Sequence, residues 1–235
     1  YSMIVNTRPL ELSDNLIKIS NSEKIQIRHI HLSSIHPITD SAQTKLWTKK
    51  LLDIGSYNNI IFTSRSAVKY GFPLLKKNNF KENFNGEILA IGPATAAELI
   101  KRDVHPLISD TTSSEGLVNK INKNDSKSIL FCGTNSQGYL KNNLSNLDEI
   151  QCYELVFKAI KSEFFNTDRE IILVYNLKTL EHILESANDD VLDSKEFVLA
   201  SKRILDLVRS VKKLKVHIAK DATDHSMIEA AKAII

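Results

Sequence analysis

Apolar residues fall in short runs, separated by stretches in which they recur every three or four positions. The runs have the length of strands, and the spaced stretches have the period of an amphipathic helix. Strands are predicted in "MIVNT" (Met3 to Thr7), "NNIIFTS", "GEILAIG", "VHPLI", "SILFCG", "IQCYELVF", "REIILVY", "EFVLAS" and "KVHIA". "KIQIRHIHL" alternates with period two and predicts one more. Helices are predicted in "LELSDNLIKIS", from Ser66, from Pro93, in "SSEGLVNKI", after Ser136, and in "LKTLEHILE", "KRILDLVRSV" and "DHSMIEAAKAI". Strand and helix alternate almost throughout, the pattern of parallel sheets in an α/β protein.

The pattern also repeats. "NNIIFTSRSAVKYGF" resembles "REIILVYNLKTLEHI", "EILAIGPATAAEL" resembles "EFVLASKRILDLV", and "ISDTTSSEGLVNKI" resembles "IAKDATDHSMIEAAKAI". The offset is about 110 residues, the size of a domain and not of a solenoid repeat. A weaker echo pairs "MIVNTRP" and "IQIRHIHLSSI" with "SILFCGTNS" and "IQCYELVFKAI". The order A, B, A′, B′ predicts two similar lobes, and a cleft between lobes is the usual place for a ligand. The best break is "SSIHPITDSAQTK" (Ser33 to Lys45), which holds Pro37 and polar residues. A second crossing is expected between Phe157 and Thr167.

The chain has 235 residues, 42% hydrophobic and 25% charged, so it can bury a sizeable core. A net charge of +3 is too small to point to nucleic acid, and it suits an anionic small molecule. Cys132 and Cys152 give neither a metal spacing nor a disulfide framework, which fits a reducing cytoplasm. No apolar run approaches a membrane span and no signal-peptide pattern is seen, so the expectation is a cytoplasmic protein with no membrane partner.

The strand-to-helix junctions carry small polar residues: Thr7-Arg8, Thr63-Ser64, Gly92-Pro93-Ala94-Thr95, Thr112-Ser113-Ser114, Gly133-Thr134, Tyr175-Asn176, Ser201-Lys202-Arg203 and Ala222-Thr223. In parallel sheets these lie at the carboxyl ends of strands. Backbone N–H groups and helix N-termini there favour anions. Capping alone explains any one junction. Their recurrence predicts a polyanionic ligand held largely by main chain, with Arg8 and Arg65 placed to pair with carboxylates.

Other chemistries find less support. No G-x-G-x-x-G and no Walker motif occurs. His29, His31 and His36 cluster, but no cysteine or carboxylate arrangement completes a metal site, and none is expected. "VKKLK" (Val211 to Lys215) reads as a solvated helix terminus. Tyr153 shares a strand face with Gln151 and Leu155, and is either a core tyrosine or a proton donor.

Taken in order, "TRP" after the first strand, "IIFTSRSAV", "AIGPATAAEL", "TTSSEGL", "ILFCGTNSQGYL" and "CYEL" resemble the uroporphyrinogen-III synthase family over nearly the whole chain. The resemblance implies two flavodoxin-like α/β lobes with parallel sheets, joined by two antiparallel connecting strands. Residues 1–35 and 158–235 are then a discontinuous first lobe and residues 36–157 an inserted second lobe. It implies a cyclising hydro-lyase, working without metal or organic cofactor, that closes hydroxymethylbilane, a linear polycarboxylate tetrapyrrole, into uroporphyrinogen III. Loss of the terminal hydroxyl leaves an azafulvene, a spiro intermediate forms and fragments, and the last pyrrole ring ends inverted. A monomer is implied, compatible with transient contact with the preceding pathway enzyme.

By the same resemblance Tyr153 matches the family's cleft tyrosine, the candidate general acid for hydroxyl loss. Ser64 and Thr95 match the second lobe's cleft hydroxyls, and Thr7, Arg8, Ser113, Ser114, Gly133 and Thr134 lie at matching loop ends. The last third departs from the pattern. Asn176 stands where a serine is usual and can replace its hydrogen bonds, while Ile204 cannot replace a threonine's. Ser201, Lys202 and Thr223 are the remaining polar candidates there, with Lys202 or Arg203 compensating electrostatically. That divergence favours one rival reading, a non-catalytic two-lobed tetrapyrrole-binding homologue. A second rival, a flavodoxin-like signalling protein, needs acidic residues at strand ends where this chain has Thr, Ser and Gly.

Overall fold

Runs such as Ile60-Ile61-Phe62 and Ile171-Ile172-Leu173-Val174 are buried along their whole length, as happens when helices cover both faces of a sheet. A computed structural model describes residues 2–121, 126–134, 136, 138–160, 169–208 and 214–235. Its strands are β1 (Met3–Asn6), β2 (Ile27–His29), β3 (Ser33–Pro37), β4 (Asn59–Phe62), β5 (Glu87–Ala90), β6 (Leu107–Ile108), β7 (Ser128–Gly133), β8 (Leu147–Phe157), β9 (Glu170–Val174), β10 (Lys195–Leu199) and β11 (Lys215–Ile218). Its helices are α1 (Asp14–Glu23), α2 (Ser41–Leu52), α3 (Arg65–Lys77), α4 (Phe80–Asn83), α5 (Pro93–Ile100), α6 (Ser114–Ile121), α7 (Tyr139–Asn143), α8 (Leu177–Ser186), α9 (Asp189–Asp193), α10 (Lys202–Leu207) and α11 (Asp224–Lys232).

The chain divides into two compact units, Tyr1–Ser34 with Val156–Ile235, and Ile35–Leu155. The first holds a five-stranded sheet in the order β11-β10-β9-β1-β2. All its strand pairs are parallel, so all its strands end on one edge. Its core joins Ile4, Ile172, Leu173, Phe197 and Val198 of the sheet to Leu180, Ile183 and Leu184 of α8 and Met227 and Ile228 of α11. The α8 residues recur at helical spacing, which is why "LKTLEHILE" was legible as a helix.

Charge is also buried in this sheet. Glu170 opens β9 and is paired in register with Lys195, which opens β10. The Lys195 ammonium lies 3.0 Å from the Glu170 carboxylate, and Arg28 of β2 pairs with its other oxygen. Glu170 and Lys195 are both 1% exposed, so this pair is buried at the amino end of the strands, while Arg28 reaches it from a half-buried position.

The second unit holds a six-stranded sheet in the order β3-β8-β7-β4-β5-β6, with β4, β5, β6, β7 and β8 parallel. Phe62 and Phe131 stack at 5.0 Å on its central strands. At the ends of the β3–β8 pair, Lys158 N–H donates to the Leu32 carbonyl and Ile38 N–H to the Cys152 carbonyl. Numbering falls along one strand as it rises along the other, so this pair is antiparallel. The chain passes between the units in these two strands, at Ser34 to Ile35 and Leu155 to Val156.

Several expectations change here. Ser33 to Lys45 holds a unit boundary, at Ser34 to Ile35, but the stretch is structured: Ser33–Pro37 forms β3, and α2 begins at Ser41. Pro37 is tolerated because β3 is an edge strand and needs no ladder bond from that position. Asp40 then caps α2, its carboxylate accepting from Gln43 N–H at 2.8 Å. "KIQIRHIHL" is not one long strand; only Ile27–His29 pairs, and the ladder closes with Ile30 N–H donating to the Asn6 carbonyl. "VHPLI" contributes just Leu107–Ile108. The second crossing, at Leu155 to Val156, comes just before the expected stretch of Phe157 to Thr167, of which residues 161–167 lie outside the described residues, as do residues 211–213 of "VKKLK".

Candidate active site

In the second unit the buried run of β4 ends at Phe62, and Ser64 turns the chain into α3. The Ser64 hydroxyl accepts from Ala67 N–H at 2.9 Å, a regular N-cap. The same oxygen lies 3.0 Å from the Tyr153 hydroxyl. The capping reading of this junction is met, and the capping atom also meets a buried phenol.

A bulge brings Tyr153 to that position. Cys132 pairs with Gln151, but Gly133 pairs with Tyr153, so Cys152 is the extra residue on β8. Strict alternation would put Cys152 and Tyr153 on opposite faces. Instead both are buried and both meet α3, with the Cys152 thiol 3.7 Å from the Ala67 carbonyl. Thr134 N–H donates to the Tyr153 carbonyl at 3.0 Å, which ties the Gly133-Thr134 turn to the tyrosine. Tyr153 is 8% exposed. Burial pushes its phenol up to about 12, against a lowering by the Ser64 hydrogen bond, so it carries its proton at neutral pH.

The other predicted residues of this unit sit at neighbouring strand ends. Thr95 lies in the first turn of α5 with its side chain buried, at 4% exposure. Arg65 is the first residue of α3. Ser113 caps α6 by accepting from Gly116 N–H at 3.1 Å, and its hydroxyl also meets that of Thr111 at 2.8 Å. Ser114 follows as the first helical residue. Thr112 occupies the left-handed region at φ 50°, uncommon for a β-branched residue. Its methyl lies 2.4 Å from where a Cβ on Gly92 would sit, so glycine at 92 leaves room for this side chain between the loops after β5 and β6.

The first unit gathers the rest at the carboxyl edge of its sheet. The Thr7 hydroxyl is buried and donates to the Leu173 carbonyl at 2.7 Å, joining β1 to β9. Asn176 caps α8, its side-chain oxygen accepting from Thr179 N–H at 2.9 Å. Thr223 caps α11, accepting from Ser226 N–H at 3.2 Å. Ser201 and Lys202 at the start of α10 are exposed, and Ser201 makes no capping bond through its side chain.

Arg8 has an internal partner that sequence reasoning missed. Its guanidinium donates to Asp224 at 2.6 Å and lies over the Tyr175 ring, 4.2 Å from the centroid. Tyr175 O–H donates to the same Asp224 oxygen at 2.8 Å, and Asn15 to the other at 3.0 Å. Burial, then the Asp224 charge, push the Tyr175 phenol well up. Asp224 reads in sequence as an ordinary acidic residue in a helix's first turn, which concealed it.

Two of the three histidines weighed as metal ligands have hydrogen-bond partners at the edge of this sheet. His29 accepts from the Asn6 amide at 3.0 Å, and His31 meets the Arg8 carbonyl at 2.7 Å. Burial and neighbouring His31 hold His29 below its ordinary value. Among the described residues no group of three His, Cys, Asp or Glu is placed to hold a metal, and no helix is long and apolar enough to cross a membrane.

A family model described as uroporphyrinogen-III synthase HemD matches residues 15–229. Uroporphyrinogen-III synthetase from Helicobacter pylori 26695 shares 14% identity and superposes with a TM-score of 0.64 over 100% of both chains. A mutant uroporphyrinogen III synthase from the extremely thermophilic bacterium Thermus thermophilus shares 12% identity, with a TM-score of 0.63 over 99% of this chain and 98% of that one. At such identities the likeness concerns the fold, here two sheets dominated by parallel pairs. No curated protein matches the chain significantly in sequence.

Proposed function

The chain belongs to the uroporphyrinogen-III synthase family, and from that premise we propose how its strand-end residues act on hydroxymethylbilane. Its reaction closes that linear tetrapyrrole to uroporphyrinogen III with loss of water and inversion of the last pyrrole ring, a step of heme biosynthesis. We assign it to the hydro-lyases and read it as a cofactor-free monomer of the cytoplasm.

The Ser64–Tyr153 pair carries the chemical part of the proposal. In the proposed arrangement Ser64, whose oxygen accepts from the Ala67 amide, turns its O–H to donate to the phenol oxygen. Tyr153's own proton is then directed outward. It passes to the departing hydroxyl, water leaves, and the pyrrole becomes the electrophilic azafulvenium cation beside a phenolate. The Ala67–Ser64 chain supports the charge that develops on the phenol oxygen. A pyrrole carbon of the last ring attacks, and the spiro intermediate fragments to the inverted ring. The proton lost as the ring recovers its aromaticity restores the phenol, so the balance is one water released.

The substrate's carboxylates engage the N–H groups where α3, α5 and α6 begin, around Ser64, Arg65, Thr95, Ser113 and Ser114, and the Gly133-Thr134 turn. On the first unit's strand ends Thr7, Arg8, Asn176, Ser201, Lys202 and Thr223 are the residues we assign to substrate carboxylates. Isomer choice follows from holding the chain's ends in one conformation, since closure without that restraint gives isomer I.

The test supplies freshly made hydroxymethylbilane, oxidises the products and separates isomers I and III. Predominant isomer III is expected. Isomer I alone, at the rate without enzyme and from folded protein, would overturn the catalytic reading.

A further inference from the structure

We propose that Asp224 and Tyr175 are positioning residues that hold Arg8 as a preset receptor for one substrate carboxylate. The inference rests on the reading above that this unit's strand ends bind the substrate.

Arg8 follows β1, Tyr175 follows β9, and Asp224 opens α11 after β11. The parallel sheet brings them to one edge although Arg8 and Asp224 are 216 residues apart in sequence. Asp224 takes one guanidinium nitrogen at 2.6 Å, and the Tyr175 ring backs the guanidinium plane at 4.2 Å. Asp224 is itself fixed by Tyr175 and Asn15, at 2.8 and 3.0 Å. The Arg8 backbone is held as well, its N–H donating to Asn6 at 3.1 Å and its carbonyl meeting His31 at 2.7 Å.

This frame does more than cancel a charge. A guanidinium has N–H donors on both of its edges. Asp224 takes one Arg8 nitrogen and the Tyr175 phenol lies within the guanidinium's reach, while the side chain keeps 17% exposure beside an Asp224 at 6%. An arginine serving Asp224 alone would present the two-pronged edge to it. Here Asp224 takes one nitrogen, and the five-donor guanidinium keeps N–H groups beyond those facing Asp224 and Tyr175 for an incoming carboxylate. A loose arginine loses rotamer freedom when it binds. Arg8 has lost that freedom already, so a carboxylate meets a preorganised partner.

Steady-state kinetics with hydroxymethylbilane test this, with thermal midpoints for every variant. Asp224→Asn is expected to raise KM about tenfold with kcat nearly unchanged, the signature of lost uniform binding. Arg8→Ala does the same, and the double variant is no worse than Arg8→Ala, because the two act as one unit. Asn15→Ala removes an exposed side chain that grips Asp224, and moves KM in the same direction by about threefold. If Asp224→Asn does not fold, Asn15→Ala and Arg8→Ala carry the test. A wild-type KM in Asn15→Ala and Arg8→Ala, whatever happens to thermal stability, makes the cluster purely structural and overturns the proposal. A lowered KM in Asp224→Asn overturns it too, by making Asp224 a competitor for Arg8. Failure of the wild-type protein to form isomer III is a different result and strikes the functional reading instead.

Discussion

The hydroxyls of Ser64 and Tyr153 meet at 3.0 Å across 89 residues of sequence, one at the start of α3 and the other just past the β8 bulge. Tyr153→Phe keeps the ring and removes the proton. We expect kcat to fall about a hundredfold, the low end for general-acid assistance, with KM retained. Ser64→Ala should lower kcat less, and should cost about 1 kcal/mol of stability through the lost cap. Initial rates and urea unfolding separate the two effects. Full kcat in Tyr153→Phe would remove the tyrosine from the chemistry.

The buried phenol also sets an alkaline limit. Tyr153 ionises near 10.0 when unfolded and at about 12 when folded. Between those values the unfolded chain binds fewer protons than the folded one, so stability falls as pH rises. Cys132, also raised by burial to about 12, acts in the same direction from its ordinary 9.0. Thermal midpoints should hold up to about pH 9 and then decline, less steeply in Tyr153→Phe. A midpoint independent of pH up to about 11 would contradict the burial of both groups.

Glu170 balances Lys195 and Arg28 inside the first unit's sheet. Glu170→Gln leaves a buried ammonium without its counter-charge and should cost about 3–5 kcal/mol. Adding Lys195→Met should restore part of that loss. The midpoint of denaturant unfolding measures both, and an unchanged midpoint in Glu170→Gln would show the triad to be solvated. The kcat of the folded fraction should survive, since the triad lies at the amino ends of β9 and β10, away from the strand ends assigned to substrate.

Gly71 lets α3 lie directly on β7. A Cβ there would fall 2.4 Å from the Phe131 ring and 3.2 Å from its Cβ, and that ring is fully buried. Alanine is the better helix former, but the overlap should outweigh it. Gly71→Ala is expected to destabilise by about 1–3 kcal/mol, read from denaturant unfolding. A stabilised variant would mean that the α3–β7 packing relaxes freely.

The sequence by itself determined what depends on neighbours along the chain. Parallel strands covered on both faces must be continuously apolar, so β4, β7 and β9 were legible as Ile, Leu, Val and Phe runs. Caps are local too, and Ser64, Asn176 and Thr223 sit where the strand-to-helix junctions placed them. Tertiary structure decided what depends on residues far apart. The bulge that turns Tyr153 toward Ser64 is a mismatch between two strands and leaves no mark in either one. The short pairing of β2 and the strand at Ser33–Pro37 are edge effects, set by which partner each segment finds. Arg8 read in sequence as a partner for ligand carboxylates, and only folding brought Asp224 beside it; the Glu170–Lys195 pair likewise exists only because β9 and β10 are neighbours. Local propensity follows from each residue and its neighbours, whereas register and charge pairing exist only once distant strands are brought together.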